Sequence, residues 1–488
     1  MGLAGTGGTD CKGGGRVMRF GRTIPMMSHT LAGLVTLAGV ITLVALIITS
    51  GLLLPLLAVA GAGILSIIFI IFIWMPTTLL YLVPLLLSVE YRVDLEFFSF
   101  TLAEVSAVLV WIVVLLRIRN NHRIHLKKIE VYLLLAIVIT ALPGVLLESD
   151  VRHALSVYRD FTVPLIFFTG FLLTGLSWRQ IITLLKIFVL VAAVSALLGI
   201  MQYKTNNYMW TMRPEDVIWQ HYKLGFIQDS TVGQLLGVRN TLPVGLYSTT
   251  NNFASYLVIP TVLAFALALL PYRSRAERIL WKASFISLFV SLLFTFSRGS
   301  LFTFLVAWLF LVWFRKKHRI SLTSLLMVGG IGVLLIGLVL LSNVLSWDQL
   351  GTFEGRGVML QAGVELLRDH PEALLTGGFT EEYRAHYYQW QSIHNLFLYG
   401  VLQFGLLATL SWLFLVGLEL RYILSVIHSK DQEVRSLVLA LFGGLVTTVF
   451  MYAQTTSFID SVQSSLWLFF WIGVGVCLHR FHRADALS

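Results

Sequence analysis

One histidine stands out because it lies where a polar loop meets a strongly apolar run. In the stretch SIHNLFLYGVLQFGL (392–406), His394 and Asn395 directly precede the apolar residues. An ionisable group at the mouth of a membrane helix is costly to keep, and such groups generally have a function. An imidazole with an ordinary pKa of about 6.5 can take a proton from a hydroxyl. The pattern indicates His394 as a catalytic base and Asn395 as a residue that orients the imidazole or hydrogen-bonds substrate. The alternative is an interfacial histidine solvated by lipid headgroups.

Several arginines fall in loops where the charge pattern disfavours them. They are Arg152, Arg159, Arg213, Arg239, Arg298 and Arg356. A guanidinium group matches phosphate oxygens in a bidentate manner, so the set as a whole predicts a shared anion. For any single arginine the alternative is an ion pair with a carboxylate, and the candidates are Asp150, Asp160, Asp229 and Glu354.

Two local patterns support an anion site. In TFSRGSLF (295–302) one apolar run ends at Ser297–Gly299 and the next begins at once, which predicts a tight hairpin carrying Arg298. Downstream of Arg239, after the turn-forming Pro243 and Gly245, Asn251–Asn252 are predicted to open a helix. Amide side chains and free N–H groups at that point can cap the helix and also meet an anion. Asn252 is therefore a candidate ligand.

The elements that must position these residues are membrane helices. The chain has 488 residues, of which 57% are hydrophobic and only 12% charged, and soluble proteins carry about twice that charge. Runs of about 20 apolar residues can cross a bilayer. We expect spans near 29–49, 52–74, 76–89, 99–116, 130–147, 161–177, 180–201, 251–271, 279–296, 300–314, 321–342, 393–420, 435–454 and 463–479. The third is short and is expected to form a hairpin with the second around Met75–Pro76. The fold class is therefore an all-α polytopic bundle of 12–14 transmembrane helices.

The distribution of basic residues predicts the orientation. The basic segments are Arg117–Lys128, Tyr272–Lys282, Arg315–Arg319, Arg421–Arg435 and 479–483. All fall on one side when the spans alternate, so this side is expected to be cytoplasmic, with both termini inside. These flanking charges, rather than a nucleic-acid surface, account for the net charge of +10. The outer side then holds Glu148–Asp160, Gln202–Thr250 and Asn343–Ile393.

The outer loop 343–393 has three parts. GTFEGRGVML predicts a glycine-flanked turn around Arg356, and VMLQAGVELLRDHP predicts an amphipathic helix with Leu360, Val364 and Leu367 on one face, closed by Pro371. The last part, TGGFTEEYRAHYYQWQS, is aromatic and polar, and it suits carbohydrate or the headgroup region equally. Its acids Glu381 and Glu382 are alternative bases.

The sequence indicates neither a metal site nor a disulfide framework. The outer histidines are scattered without ligand spacing; they are His153, His221, His370, His386 and His394. Cys11 and Cys477 lie at opposite ends of the chain. We expect no cofactor and no metal.

The order of these motifs resembles the O-antigen ligase and O-antigen polymerase family, bacterial membrane glycosyltransferases that share a ligase-related domain. The matching elements are Ser297–Gly299, Gly355–Gly357, Asp369–Pro371, Gly377–Phe379 and the H-N-x-x-L-x6-G run at His394–Gly405. The resemblance is strongest over about 240–415. The R-N-T-L sequence around Arg239 departs from the family's arginine motif.

The resemblance implies a GT-C-like fold in the bacterial cytoplasmic membrane. It implies transfer of a glycan from undecaprenyl diphosphate, on the outer face, to a hydroxyl of lipid A–core in a ligase or of a second lipid-linked glycan in a polymerase. The family's essential histidine matches His394, and its loop arginines match Arg239, with Arg298, Arg356 and Arg159 as further donor-binding candidates. Charge on the departing diphosphate would be stabilised by arginines without a metal.

The apolar spans and loops also predict how the chain is divided, and they bear on two alternative functions. We expect a disordered cytoplasmic tail at 1–28, an N-terminal bundle at 29–237 with the outer loop 202–250, the ligase-related domain at 238–420 and C-terminal helices with a cytoplasmic tail at 421–488. A flippase or exporter of lipid-linked saccharide would carry charges within its spans and inverted repeats, whereas these spans are nearly uncharged. A peptidoglycan-type polymerase would rely on an acidic residue in the large outer loop.

Overall fold

The computed structural model describes twelve stretches of the chain, all within one compact unit at 72–488. They are residues 76–90, 92–94, 99–119, 127–147, 151–206, 242–247, 249–270, 274–315, 351–379, 396–427, 432–449 and 462–487. Helix accounts for 88% of these residues, which confirms a helical bundle.

The elements follow the chain in this order. A 3-10 helix, Pro76–Leu82, leads into α1 (Val83–Leu87) and a small antiparallel hairpin, β1 (Arg92–Asp94) and β2 (Ser99–Thr101). The remaining helices are α2 (Leu102–Arg119), α3 (Lys128–Leu147), α4 (Val151–Leu173), α5 (Trp178–Thr205), α6 (Thr250–Ala268), α7 (Arg275–Phe294), α8 (Arg298–Arg315), α9 (Gly351–Asp369), α10 (Ala373–Thr376), α11 (Leu396–Val426), α12 (Gln432–Thr447) and α13 (Val462–Leu487).

Six of the described helices are long and apolar enough to cross a membrane: α3, α4, α5, α6, α11 and α13. The chain is thus a polytopic membrane protein. The spans expected at 130–147, 180–201 and 251–271 coincide with α3, α5 and α6 to within four residues, and the span expected at 463–479 lies within α13, which continues to Leu487. The expected spans 29–49, 52–74 and 321–342 lie outside the described residues, as does the tail 1–28.

Aromatic side chains fill the centre of the bundle where α4, α5 and α13 meet. Phe188 lies 4.4 Å from Trp471 and 5.0 Å from Phe470 between ring centroids. Glycines let the helices approach, because a methyl group at Gly473 would meet the ring of Phe171 at 2.8 Å. Close packing of this kind stabilises helix association in lipid, where apolar surface alone gives no drive.

Helix α11 runs antiparallel to α3 and marks the two ends of the bundle. At one end Gly144 of α3 lies against the backbone of Gln403. At the other end Glu130 of α3 and Glu419 of α11 are electrostatic neighbours. We call these the Gly405 end and the Glu419 end, after the residues of α11 that lie there.

Two elements differ from the sequence-based expectation in their bounds. The segment Glu148–Asp160 was expected in a loop, but α4 begins at Val151, so Arg159 lies within a helix. The segment GTFEGRGVML was expected to be a turn, but α9 already begins at Gly351 and contains Arg356. Helix hydrogen bonding satisfies the backbone of both segments, and this outweighs the local preference of their glycines and polar residues for turns.

The sequence did not predict which face of α9 packs on the bundle. Of the three residues predicted to share one face, Leu360 and Val364 are 46% and 54% exposed, and Leu367 is partly buried. Ala362 and Leu366 are buried, and Gly363 between them sits directly on Leu398 of α11. Leu360 and Val364 therefore lie away from α11. As expected, α9 ends immediately before His370–Pro371.

Candidate functional site

The predicted site residues fall into three groups. His394, Asn395 and Arg239 lie outside the described residues. Arg298 is the first residue of α8 and Arg356 lies in α9, so the backbone position of both is described. Arg159 and Asn252 are described with their side chains. The alternative bases Glu381 and Glu382 also lie outside the described residues.

The helix that follows His394–Asn395 is broken nine residues into its length. Helix α11 begins at Leu396, and Gly405 adopts φ 83° and ψ 164°, so α11 consists of two helical segments that meet there. Only glycine adopts this conformation without strain. The Oγ1 of Thr409 donates to the carbonyl of Gly405 at 2.8 Å and fixes the start of the second segment.

The Gly-Gly-Phe turn docks onto this break. Gly377 and Gly378 have φ of 68° and 86°, which confirms the expected turn. The N–H of Gly378 donates to the carbonyl of Gln403 (3.1 Å), and that of Phe379 donates to Leu402 (3.0 Å). The turn therefore supplies donors for carbonyls at the end of the first segment of α11, where the break interrupts helical bonding. Two motifs that are separate in sequence form one backbone unit.

Three glycines permit this contact. A methyl group at Gly405 would lie 2.6 Å from the carbonyl oxygen of Leu375, and one at Gly377 would lie 2.5 Å from that of Gln403. A methyl group at Gly144 of α3 would collide with the same Gln403 carbonyl and lie 2.8 Å from that of Thr376. We call Gly144, Gly377 and Gly405 the glycine crossing. No larger residue fits, since the opposing atoms are backbone.

Arg159 lies beside this crossing and has carboxylate partners. Its Nη2 is 2.9 Å from the Oδ1 of Asp160, and its Nε is 3.4 Å from the Oε1 of Glu104. Two residues after Arg159, Phe161 stacks on Phe404 of α11 with ring centroids 4.1 Å apart. The ion-pair alternative raised for each arginine thus holds for Arg159, and its predicted role in binding an anion stays a prediction.

Asn252 lies in the first turn of α6, as expected. Its backbone N–H donates to the Oγ1 of the capping residue Thr249 (3.2 Å), and its Nδ2 donates to the Oε1 of Glu90 (3.4 Å). The N–H of Glu90 in turn donates to the carbonyl of Leu246 (2.9 Å). The amide of Asn252 is thus directed toward a carboxylate from a segment 162 residues away.

A polar layer connects Asn252 with the start of α13. The hydroxyl of Tyr247 donates to the carbonyl of Leu87 (3.0 Å), and the Nε2 of Gln463 donates to the same oxygen (2.6 Å). Burial raises the pKa of Tyr247 well above its ordinary value, and neighbouring Tyr256 and Glu90 add to this effect. Tyr247 therefore stays a neutral donor at physiological pH. Gln463 lies in the first turn of α13, whereas Arg480, near the other end of this helix, bonds to Glu130, so this layer lies at the Gly405 end.

Arg298 belongs to the same end of the bundle by topology. Helix α7 ends at Phe294, and Phe296 has a φ of 50°, which turns the chain directly into α8. This confirms the expected tight turn. Phe294 stacks on Tyr203 at 4.6 Å, and the neighbouring Gln202 bonds the loop that carries Gly245. The backbone of Arg298 thus lies at the end that also holds Asn252.

The carboxylates that face these residues were not predicted from the sequence. Glu104 pairs with Arg159 and Glu90 with Asn252, and each carboxylate lies in a different element, far away in sequence. Two buried carboxylates within the spans, Glu130 and Glu419, were not predicted either, and both are 0% exposed. Both could have been identified from the sequence, because a charged residue inside an apolar run is rare and generally functional.

Neither metal ligation nor comparison with known proteins adds to this description. Within the described stretches, no group of three or more His, Cys, Asp or Glu side chains could hold a metal ion. No protein-family model matches the chain, and a search of curated proteins found no match.

Proposed function

We propose that the chain is a membrane glycosyltransferase that moves a glycan from an undecaprenyl-diphosphate donor to a hydroxyl acceptor. It would be of the O-antigen ligase or polysaccharide polymerase type, GT-C-like with 12–14 spans, and active on the outer face of the bacterial cytoplasmic membrane. One observation carries most of this proposal. Two elements of the family pattern, Gly377–Phe379 and the H-N-x-x-L-x6-G run, are joined by backbone hydrogen bonds, because Gly378 and Phe379 donate to carbonyls within that run.

The chemistry follows from where the residues lie along this unit. His394 and Asn395 directly precede α11, whose first segment the glycine crossing holds in place. The imidazole of His394 would accept the acceptor's proton as the hydroxyl oxygen bonds to the anomeric carbon. The bond from that carbon to the diphosphate breaks at the same time, and the lipid diphosphate leaves with the electron pair. Arg298, Arg356 and Arg239 would stabilise the charge that develops on it.

A reconstituted transfer assay tests the proposal. Purified protein in vesicles is given the lipid-diphosphate glycan, either with lipid A–core or alone. Glycan appearing on lipid A–core indicates a ligase, and growth of the glycan on its own lipid carrier indicates a polymerase. If folded protein forms neither product, the proposal is contradicted. The matched control for loss of His394 is His479→Gln, because His479 is a partly exposed histidine at the Glu419 end that hydrogen-bonds to Ser425 and lies outside the family pattern.

Export of lipid-linked saccharide is the second candidate, and one observation favours it. Glu130 and Glu419 are fully buried carboxylates on two apolar helices, α3 and α11. Buried charges of this kind are typical of transport proteins that couple to ions. The same vesicles distinguish the two functions, because an exporter would move labelled lipid across the bilayer without forming any new glycosidic bond.

A further inference from the structure

The Glu419 end contains a cluster of buried charges that the proposed transfer reaction does not use. Arg480 of α13 donates to the Oε2 of Glu130 at 2.5 Å and to the carbonyl of Leu172 at 3.5 Å. The N–H of Lys127 also donates to the Oε2 of Glu130, at 3.1 Å. One carboxylate oxygen of Glu130 is thus fully engaged. This gives the end of α3 a fixed position against α4 and α13.

Three other carboxylate oxygens in the cluster are buried and without a hydrogen-bond partner. They are the Oε1 of Glu130 and both oxygens of Glu419. Neither side chain has any exposed surface. An ionised carboxylate removed from water and left without a partner costs many kcal/mol. A proton on one of these oxygens, or a cation bound beside them, would remove most of this cost.

The protein's own cations do not fill this position. Arg480 is directed to Glu130 and Leu172, and the Nζ of Lys127 lies 3.3 Å above the ring of Tyr422 as a cation–π pair. Both attract Glu419 electrostatically, but neither hydrogen-bonds to its oxygens. Two acids and two bases sum to zero net charge, yet no base contacts Glu419, so its own negative charge is not neutralised locally.

The other titratable groups around Glu419 are also accounted for. On α13, Cys477 is buried, and His479 stacks on Tyr422 with its Nδ1 2.6 Å from the Oγ of Ser425. On α12, the charged residues turn elsewhere: Glu433 pairs with Lys186, and Arg435 donates to the carbonyl of Phe314. None of these bonds reaches the oxygens of Glu419.

We propose that Glu419 and Glu130 form a buried binding site for one monovalent cation, a proton or Na⁺, between α3, α11 and α13. A proton would reside on Glu419 and remove its electrostatic repulsion with Glu130. Na⁺ would be bound by the three unpartnered carboxylate oxygens, the ligand type that hard cations prefer. The site lies 14 residues beyond Gly405 on α11, about 21 Å along the helix axis at ~1.5 Å per residue. It is therefore distinct from the site proposed for glycan transfer.

The first experiment compares infrared spectra of the wild type and of Glu419→Gln. Infrared spectra of the wild-type protein in vesicles at about pH 8 report whether a carboxyl group remains protonated, since exposed acids are ionised there. A carboxyl C=O band that disappears in Glu419→Gln identifies a bound proton. A band that persists in Glu419→Gln belongs to another residue and overturns the assignment to Glu419.

The second experiment measures the melting temperature with pH and with Na⁺. Glutamine is a neutral isostere that needs no cation, so Glu419→Gln should gain stability relative to wild type as pH rises if the cation is a proton. If the cation is Na⁺, replacing choline by Na⁺ at constant ionic strength should raise the melting temperature of the wild type but not of Glu419→Gln. The matched control is Glu277→Gln, an exposed acid paired with Lys186, which should behave as wild type.

The proposal fails if no carboxyl band is present and Na⁺ has no effect that depends on Glu419. It also fails if the wild type and Glu419→Gln respond equally to both variables. Neither result bears on glycan transfer, which the vesicle assay measures separately.

Discussion

At the scale of single residues, His394 carries the strongest prediction. Loss of a general base lowers a rate by about 10²- to 10⁴-fold, so His394→Ala should reduce transfer by this order while leaving the donor's KM nearly unchanged. Initial rates in the vesicle assay measure the effect. His479→Gln should retain the wild-type rate. A loss of only two- to threefold in His394→Ala would instead indicate an interfacial residue that positions substrate.

Arg159 presents a case in which charge pairing and substrate binding can be separated. Its two carboxylate partners are largely buried, so Arg159→Gln leaves Glu104 without a compensating charge. The free energy of unfolding should fall by about 1–2 kcal/mol, a value between those of an exposed and a buried ion pair. The double variant Arg159→Gln/Glu104→Gln should recover part of this loss in a thermal melt. If the donor's KM rises in both variants although stability recovers, Arg159 also binds the anion.

The partners of Arg159 explain why residue-level roles are hard to predict from sequence. The adjacent Asp160 was foreseeable, since it is the next residue. Glu104 was not, because it lies 55 positions away and the pairing depends on how α2 packs against α4. The same holds for Asn252 and Glu90, which come from elements separated by 162 residues.

At the scale of elements, the glycine crossing is the feature most sensitive to change. Gly144→Ala places a methyl group against the backbone carbonyls of Gln403 and Thr376, which cannot rotate away. We expect a loss of about 1–3 kcal/mol from overpacking and a displaced first segment of α11. Transfer activity should fall along with the melting temperature.

The matched control for Gly144→Ala lies on α11 itself. Gly417 has no atom within 4 Å of a built methyl group and no unusual backbone angle. Gly417→Ala should therefore be neutral or stabilise the helix by up to about 1 kcal/mol. Equal destabilisation by both substitutions would show that glycine content, rather than the close backbone contact, matters here.

Helix positions could be predicted well from sequence, but the break within α11 could not. Runs of apolar residues locate α3, α5 and α6 because the bilayer sets their length. The break at Gly405 depends on donors from Gly378 and Phe379, which lie at least 26 residues upstream. Hydropathy reports only where a run begins and ends, so a continuous apolar stretch gives no sign of interruption. The face of α9 that packs on α11 was not predicted for a related reason, since that contact is made at Gly363, which a hydrophobic pattern does not mark.

At the scale of the whole molecule, the two ends of the bundle differ in chemistry. The Gly405 end holds backbone turns, a tyrosine hydroxyl and Arg298 at the start of α8. The Glu419 end holds paired charges near the basic residues Lys127 and Lys128 at the start of α3. The positions of the basic residues along the sequence predict this asymmetry, because in membrane proteins generally such residues are retained on the cytoplasmic side during insertion.

The proposed orientation can be measured with single cysteines, one at each end of the bundle. Glu372 and Lys128 are exposed and lie at the Gly405 and Glu419 ends. In a background of Cys11→Ser and Cys477→Ala, we expect Glu372→Cys to react with a membrane-impermeant maleimide in intact spheroplasts, and Lys128→Cys only after permeabilisation. The reverse pattern would put His394 in the cytoplasm, where soluble activated sugars are available, and would remove the need for a lipid-linked donor. The labelling pattern therefore bears on the proposed chemistry as well as on topology.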